Sequence, residues 1–387
     1  MTLQPISPRL LAIGGLIAMA SAIGIGRFIY TPILPPMVEG LHLTKGEAGL
    51  IAAANFIGYL VGALAAASPR GRSNPRGLLL AALAASAITT AIMGWSHTML
   101  EFLAWRFIGG VASAYVLVLA SALVLERLNA TGHGRLSAIH FSGVGAGIAL
   151  SAVLTWALAS GGLDWRTMWL GGGLLSLAGL AAVAVLVPAA QAASAPSTAA
   201  PRGATDRRLK LLTTAYGLFG FGYVITATFI VVIVRGSPEA VRIEPVFWLA
   251  FGLSAIPSVA VWVAVGRRTS IMQAFALACI VEAVGVFASV AWPSIPGLFV
   301  ASGLLGGTFM GITALGLIAA RDLAPADARR WLATLTAAFG LGQIVGPIVA
   351  GYGFDLTGSF FLPSMLAVAA LCVSAYLALA VSRQQPA

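Results

Sequence analysis

Four ionisable side chains interrupt the long apolar stretches of this 387-residue sequence: Arg27, Arg106, His140 and Glu282. Arg27 stands in "GIGRFIYTPILPPM" and Arg106 in "RFIGGVASA", neither followed closely by an acid. A guanidinium is a planar fork of donors that holds a carboxylate through two hydrogen bonds. Two such cations among apolar neighbours attract an anion. Helical spacing supplies companions: Tyr30 at i+3 from Arg27, Ser113 at i+7 from Arg106, and a row of Tyr216, Tyr223 and Thr226 farther along. Asn55 and Gln343 are amides in apolar runs and join the candidate binding residues. His140 and Glu282 are candidate proton carriers, because imidazole titrates near neutrality and a carboxyl in an apolar setting can hold a proton. Other readings stay open at this point. Arg27 could tie down carbonyls freed by Pro32, Pro35 and Pro36. Arg106, five residues past Glu101 and so ~7.5 Å along a helix, could reach out of the apolar layer. His140 shares a face with Gly143, Gly147 and Ser151, a pattern that also suits close helix packing.

The elements that must position these groups are membrane-spanning helices. Hydrophobic residues make up 59% of the chain, charged residues 9%, and mean hydropathy is +0.96. A soluble chain carries about a quarter charged residues. The apolar runs have helical length and no strand-like alternation. They predict an all-α membrane protein of twelve transmembrane helices, at about 10–38, 46–68, 77–96, 99–126, 136–160, 166–188, 209–234, 245–266, 270–292, 296–320, 330–353 and 359–382. With both termini inside, 16 of the 22 Lys and Arg residues fall at cytoplasmic ends. The net charge of +10 is therefore a topology signal, and no nucleic-acid partner is expected. Ala20-Ser21-Ala22 resembles a cleavage site, but the apolar run continues past it, so the first helix is read as retained. Cys279 and Cys372 are expected as small buried residues.

The chain divides into an N-terminal six-helix half (1–188), a cytoplasmic Ala/Ser/Pro-rich linker (189–208) and a C-terminal six-helix half (209–387). The halves look duplicated. Gly109-Gly110 and Gly306-Gly307, "GVGAG" from Gly143 and "GLGQI" from Gly340, and Arg70 and Arg267 are each 197 residues apart; "GIGRF" and "GFGYV" are 196 apart. Such parallel six-helix repeats belong to transporters that rock around a central site.

"RFIGGVASA", "FSGVGAGIALS" from Phe141 and "FGLGQIVGPIVAG" from Phe339 resemble motifs of the major facilitator superfamily. "GRFIYTPILPPM" with "HFSGVGAGIALS" resembles its YbfB/YjiJ branch. The loop "SPRGRSNPRG" lacks the superfamily's usual aspartate. The resemblance implies a cavity lined by spans 1, 4, 7 and 10, with 3, 6, 9 and 12 bracing it. It places Arg27 and Arg106 on the cavity and Glu282 off it. It also implies gating by the glycine-rich faces of spans 5 and 11: Gly143, Gly147, Gly342, Gly346 and Pro347, set between opposite halves.

The resulting expectation is a monomeric secondary transporter in a bacterial inner membrane. It moves a small organic anion, a carboxylate, by rocker-switch alternating access coupled to protons as a symporter. The alternative is a proton-coupled efflux antiporter for amphipathic compounds or drugs. No cofactor is expected, and no enzyme: His42, His97, His133 and His140 show neither metal spacing nor a nucleophile–base set.

Overall fold

The computed structural model describes residues 7–66, 74–188 and 207–383. Arg70, Arg72, Arg202 and the expected linker up to residue 206 lie outside them; Arg207 and Arg208 already belong to a helix. Among the described residues the fold is all-helical, with twelve helices long and apolar enough to cross a membrane. They are Pro8–Leu41 (span 1), Lys45–Ala66 (span 2), Pro75–Trp95 (span 3), Met99–Ala130 (span 4), Gly134–Ser160 (span 5), Trp165–Leu186 (span 6), Arg207–Arg235 (span 7), Val241–Arg268 (span 8), Ile271–Ala291 (span 9), Ile295–Leu323 (span 10), Arg330–Thr357 (span 11) and Phe361–Ser382 (span 12). In hydrocarbon every backbone polar group must find its partner within the chain, and the helix does this segment by segment.

Side chains define several helix starts. Thr98 and Glu101 cap span 4 reciprocally, and Ser270 caps span 9. Asp164 opens span 6 by accepting from the Thr167 N–H at 3.0 Å. That bond holds the Asp164 carboxyl below the ordinary carboxylate range. Asp164→Ala should cost about 0.5–1 kcal/mol, the low end for a cap because the site is exposed. A depressed carboxyl stabilises the fold above its unfolded pKa of about 3.9 and loses that contribution as pH falls through the folded value. Melting curves of wild type and variant should therefore separate at pH 7 and converge in acid. Trp165, the first residue of that helix, is buried beneath Arg166.

Span 1 is not a continuous α-helix. An α-helical stretch, Pro8–Met19, passes into a π-helix, Ala20–Ile25, then a turn at residues 26–29, then a second α-helix, Tyr30–Leu41. Arg27 sits in that break.

Glycine sets the helix spacing. A Cβ on Gly110 of span 4 would strike the Asn55 carbonyl of span 2, and one on Gly58 of span 2 would strike the Phe107 carbonyl of span 4. The two backbones are in contact, and this seats Asn55 against Arg106. The four glycines expected between opposite halves lie elsewhere. Gly143 and Gly147 press on the carbonyls of Leu16 and Ala20 in span 1, and Gly342 and Gly346 press on span 7. Each pair tightens its own six spans. The crossings between the first six and the last six spans belong to Gly145 with Gly252, Gly49 with the Pro347 carbonyl, and Gly351 with the Lys45 carbonyl. The sequence motif is the same; helix rotation decides which glycine meets which neighbour.

Polar contacts join the two sets of spans at the end of the bundle away from the termini. Arg235 binds Glu39 of span 1 and Glu244 of span 8. Asp355 of span 11 accepts from the backbone N–H of Lys45 (3.0 Å) and Gly46 (2.7 Å) at the start of span 2. Thr31 donates to the Ala227 carbonyl (3.0 Å), and Trp248 donates to Ser151 (3.1 Å). Cys279 is buried, 3.6 Å from the Ser374 hydroxyl, but Cys372 faces outward, against expectation.

Candidate functional site

Arg27 is 6% exposed. Its guanidinium carbon lies 4.4 Å from the Phe56 ring centroid, 4.5 Å from Tyr59 and 5.5 Å from Phe28. The rings hold the cation without neutralising it. Nε and Nη2 have no hydrogen-bond partner. These two nitrogens form one edge of the guanidinium, the edge whose parallel N–H groups match the two oxygens of a carboxylate.

Arg106 is placed differently. Its Nη1 donates to the Gly26 carbonyl and its Nη2 to the Arg27 carbonyl, both at 3.3 Å, and its guanidinium carbon lies 4.9 Å from the Tyr30 ring centroid. The Thr31 N–H turns back to Phe28 (3.2 Å), so the Arg27 carbonyl lacks its usual helical donor. The task of binding freed carbonyls, considered above for Arg27, is carried by Arg106. Asn55 fixes Arg106 in turn, donating from Nδ2 to its carbonyl at 2.9 Å. The Tyr30 hydroxyl is spent on the Ala48 carbonyl (2.8 Å) and the Ser113 hydroxyl on the Gly110 carbonyl (2.9 Å). Arg106, Asn55, Tyr30 and Ser113 thus make a frame around the break rather than donors beside the free edge of Arg27. Arg106→Met should leave two buried carbonyls unpaired, at ~1–3 kcal/mol each, offset in part by removal of a buried charge. The expected net result is a loss of about 2 kcal/mol, read as a lower melting temperature.

Across from Arg27, the last six spans present an aromatic wall. Tyr223 lies between Phe309 (5.7 Å, 13° between planes) and Phe339 (5.8 Å, 4°), with Phe219 at 5.3 Å. Gln343 donates to the Tyr223 hydroxyl from Nε2. Phe28 meets Phe309 edge-on at 5.9 Å, joining the two sides. Arg27 is within hydrogen-bonding reach of the Tyr59 hydroxyl and within electrostatic reach of the Tyr223 hydroxyl. Gln343 Oε1, and the Thr226 hydroxyl one turn beyond Tyr223, are buried without partners. The structure therefore brings Arg27, Tyr223 and Gln343 to one locus. Phe56, Tyr59, Phe309 and Phe339 belong to it too, and sequence reasoning missed them. Phe56 and Tyr59 carried a usable signal, standing at i+1 and i+4 from Asn55.

His140 lies elsewhere, bonded through Nε2 to the Ser121 hydroxyl (3.2 Å), with Gly15 of span 1 against Nδ1. Gly15 and Arg27 are twelve residues apart, or ~18 Å along a helix. Glu282, on span 9, is fully buried with both carboxyl oxygens unpartnered. Among the described residues no cluster of three or more His, Cys, Asp or Glu could hold a metal ion.

A gallate transporter of Pseudomonas putida is 26% identical over 157 residues, 40% of this chain. The match spans about a third of that protein's length (34%). The fold is also that of solved transporters. A D-xylose–proton symporter superposes with a TM-score of 0.73 at 15% identity, over 98% of this chain and 97% of the other. A mutant of the nucleoside transporter NupG superposes with a TM-score of 0.70 at 16% identity, over 97% of this chain and 99% of the other. Residues 19–379 match the family described as "Uncharacterised MFS-type transporter YbfB", and with twelve spans, a broken first helix and a buried cation at its break the chain belongs to that branch of the major facilitator superfamily.

Proposed function

We propose that the protein moves a small organic carboxylate across a bacterial inner membrane by alternating access, its termini cytoplasmic and its unit a monomer. The observation that carries this reading is the unpartnered Nε–Nη2 edge of Arg27. A buried cation is costly, and the cost is offset when a ligand brings the opposite charge. Tyr223 and Gln343 form the facing wall, Thr226 extends it, and Arg106 with Asn55 holds the backbone that carries Arg27. The rings around the site favour a ligand with a flat apolar body, and the likeness to a gallate transporter supports this, since gallate is an aromatic carboxylate. Rocking of the first six spans against the last six would pivot on the Gly145–Gly252 and Gly49–Pro347 crossings. An anion entering a negative-inside cell needs a compensating cation, which favours proton symport.

The test is ligand-induced thermal stabilisation of the detergent-purified protein. The panel pairs benzoate and other small carboxylates with their neutral amides, and adds lipophilic cations. A ligand at ten to a thousand times its Kd should add ~1.4–4 kcal/mol. Carboxylates should stabilise and their amides should not. Stabilisation by lipophilic cations alone would replace this reading with the efflux antiporter.

A further inference from the structure

Spans 9 and 12 leave a groove of about 430 Å³ on the lipid-facing side of the bundle. Its floor is made of small residues, Ala276 of span 9 and Ala375 of span 12, both buried. Its rims stand out: Leu277 is 52% exposed, Ile280 42% and Tyr376 69%. The groove begins at Gln273, two residues inside the start of span 9, and reaches Ile280. Seven residues of helix are ~10 Å. The groove therefore enters the apolar layer from the end of the bundle that carries both termini.

The mouth of the groove is cationic. Arg267 and Arg268 end the span 8 helix and lead directly into span 9. Arg383 follows span 12. Its N–H bonds the Leu379 carbonyl at 3.1 Å, which keeps the helical turn and sets Arg383 over Leu379, a groove residue. All three arginines are exposed, and none of them forms an ion pair among the described residues. The positive-inside bias accounts for arginines at this end. It does not account for an open apolar groove beneath them.

The first six spans treat the equivalent place differently. Arg76, at the start of span 3, donates to the Val187 carbonyl (2.8 Å) and the Ala184 carbonyl (2.5 Å) at the end of span 6. A guanidinium of the protein itself straps those two helices together. One repeat on, 197 residues later, the position is Gln273, which is exposed and bonds only through its backbone N–H. Among the described residues no side-chain hydrogen bond closes the groove between spans 9 and 12 at this end. Here the strap is absent and the cations are free.

We propose that the groove holds one anionic phospholipid from the leaflet on the side of the termini. One acyl chain lies over Ala276 and Ala375 between the rims, and the headgroup phosphate sits against Arg267, Arg268 and Arg383. The occupant follows from the setting. The groove opens to hydrocarbon, so a lipid tail fills it, and a guanidinium binds phosphate oxygens in pairs. A zwitterionic lipid brings the same phosphate with an ammonium group that three arginines repel. The site is separate from the Arg27 locus and does not depend on the carboxylate reading.

The experiment measures lipid binding to the detergent-purified full chain by native mass spectrometry. The probes are phosphatidylglycerol and phosphatidylcholine with identical acyl chains. Wild type should hold one phosphatidylglycerol with a Kd at least about tenfold below that for phosphatidylcholine, since each arginine near an anionic headgroup is worth roughly fivefold. The triple variant Arg267→Gln, Arg268→Gln, Arg383→Gln should bind the two lipids equally. Cys372→Trp fills the groove from an exposed position and leaves the arginines in place; it should lose most of the phosphatidylglycerol affinity. All four positions are exposed, so neither variant disturbs the packed interior. Equal binding of the two lipids by the wild type would mean that the arginines set topology only, and overturns the proposal. A triple variant that keeps the preference overturns it as well, and so does a Cys372→Trp protein that binds phosphatidylglycerol like the wild type. None of these outcomes touches the carboxylate reading.

Discussion

Replacing Arg27 by Met should weaken benzoate binding at least about thirtyfold and, at the same time, raise the melting temperature of the ligand-free protein. The two effects have one cause. Truncating one partner of a buried, hydrogen-bonded charge pair costs ~2–5 kcal/mol, about 30-fold to several thousandfold in Kd. Without ligand there is no pair. The Nε–Nη2 edge is buried and unsatisfied, and a mid-membrane arginine costs about 2.5–3.5 kcal/mol on insertion scales. Against this stand the ring contacts to Phe56 and Tyr59, worth ~0.5–2 kcal/mol. The balance favours Met, which fills similar volume without charge. Arg106→Met should move stability the other way, because both of its Nη groups hold backbone carbonyls. A thermal melt of both variants, with and without benzoate, separates the roles. Equal destabilisation by both would make Arg27 a structural residue.

Gly110→Leu should abolish folding, with a cost above ~4 kcal/mol, whereas Gly109→Ala should stay within about 1 kcal/mol of wild type. The residues are adjacent and belong to one motif. A Cβ on Gly110 would enter the Asn55 carbonyl and crowd the Tyr59 N–H, both backbone atoms of a helix that cannot retreat. A Cβ on Gly109 would come within 3.1 Å of the Thr89 hydroxyl, the end of a small side chain, with nothing else nearer than 3.8 Å. Detergent extraction followed by size-exclusion chromatography should show a monodisperse peak for Gly109→Ala and none for Gly110→Leu.

The same glycines show how far the sequence could be read. Apolar runs alone locate the helices to within a few residues, since the bilayer allows little else. The arginine in span 1 was readable as a candidate anion contact because its type and setting conflict. The job of Arg106 was not readable, since it depends on a π-helical break that frees two carbonyls some eighty residues earlier in the chain. The partners of Gly143, Gly147, Gly342 and Gly346 were not readable either, because they follow from helix rotation. Even the repeat offset differs between motif and contact. Gly110 against the Asn55 carbonyl finds its counterpart in Gly306 against the Phe251 carbonyl, and both members move by 196 residues. The motif alone pairs Gly109 with Gly306, 197 residues apart.

The polar contacts away from the termini carry a consequence for how such a chain can arise. Thr31 meets Ala227, and Glu39 meets Arg235; each pair is also separated by 196 residues. Residues that equal their partner plus one repeat meet on a pseudo-two-fold axis, as a homodimer's residues meet their own copies. Two identical six-helix chains would set Glu against Glu there, or Arg against Arg. An attractive pair on the axis is open only to unequal halves, and covalent fusion keeps unequal halves together as they diverge. The Glu39–Arg235 contact is thus a bond that requires the first six and the last six spans to differ at this position.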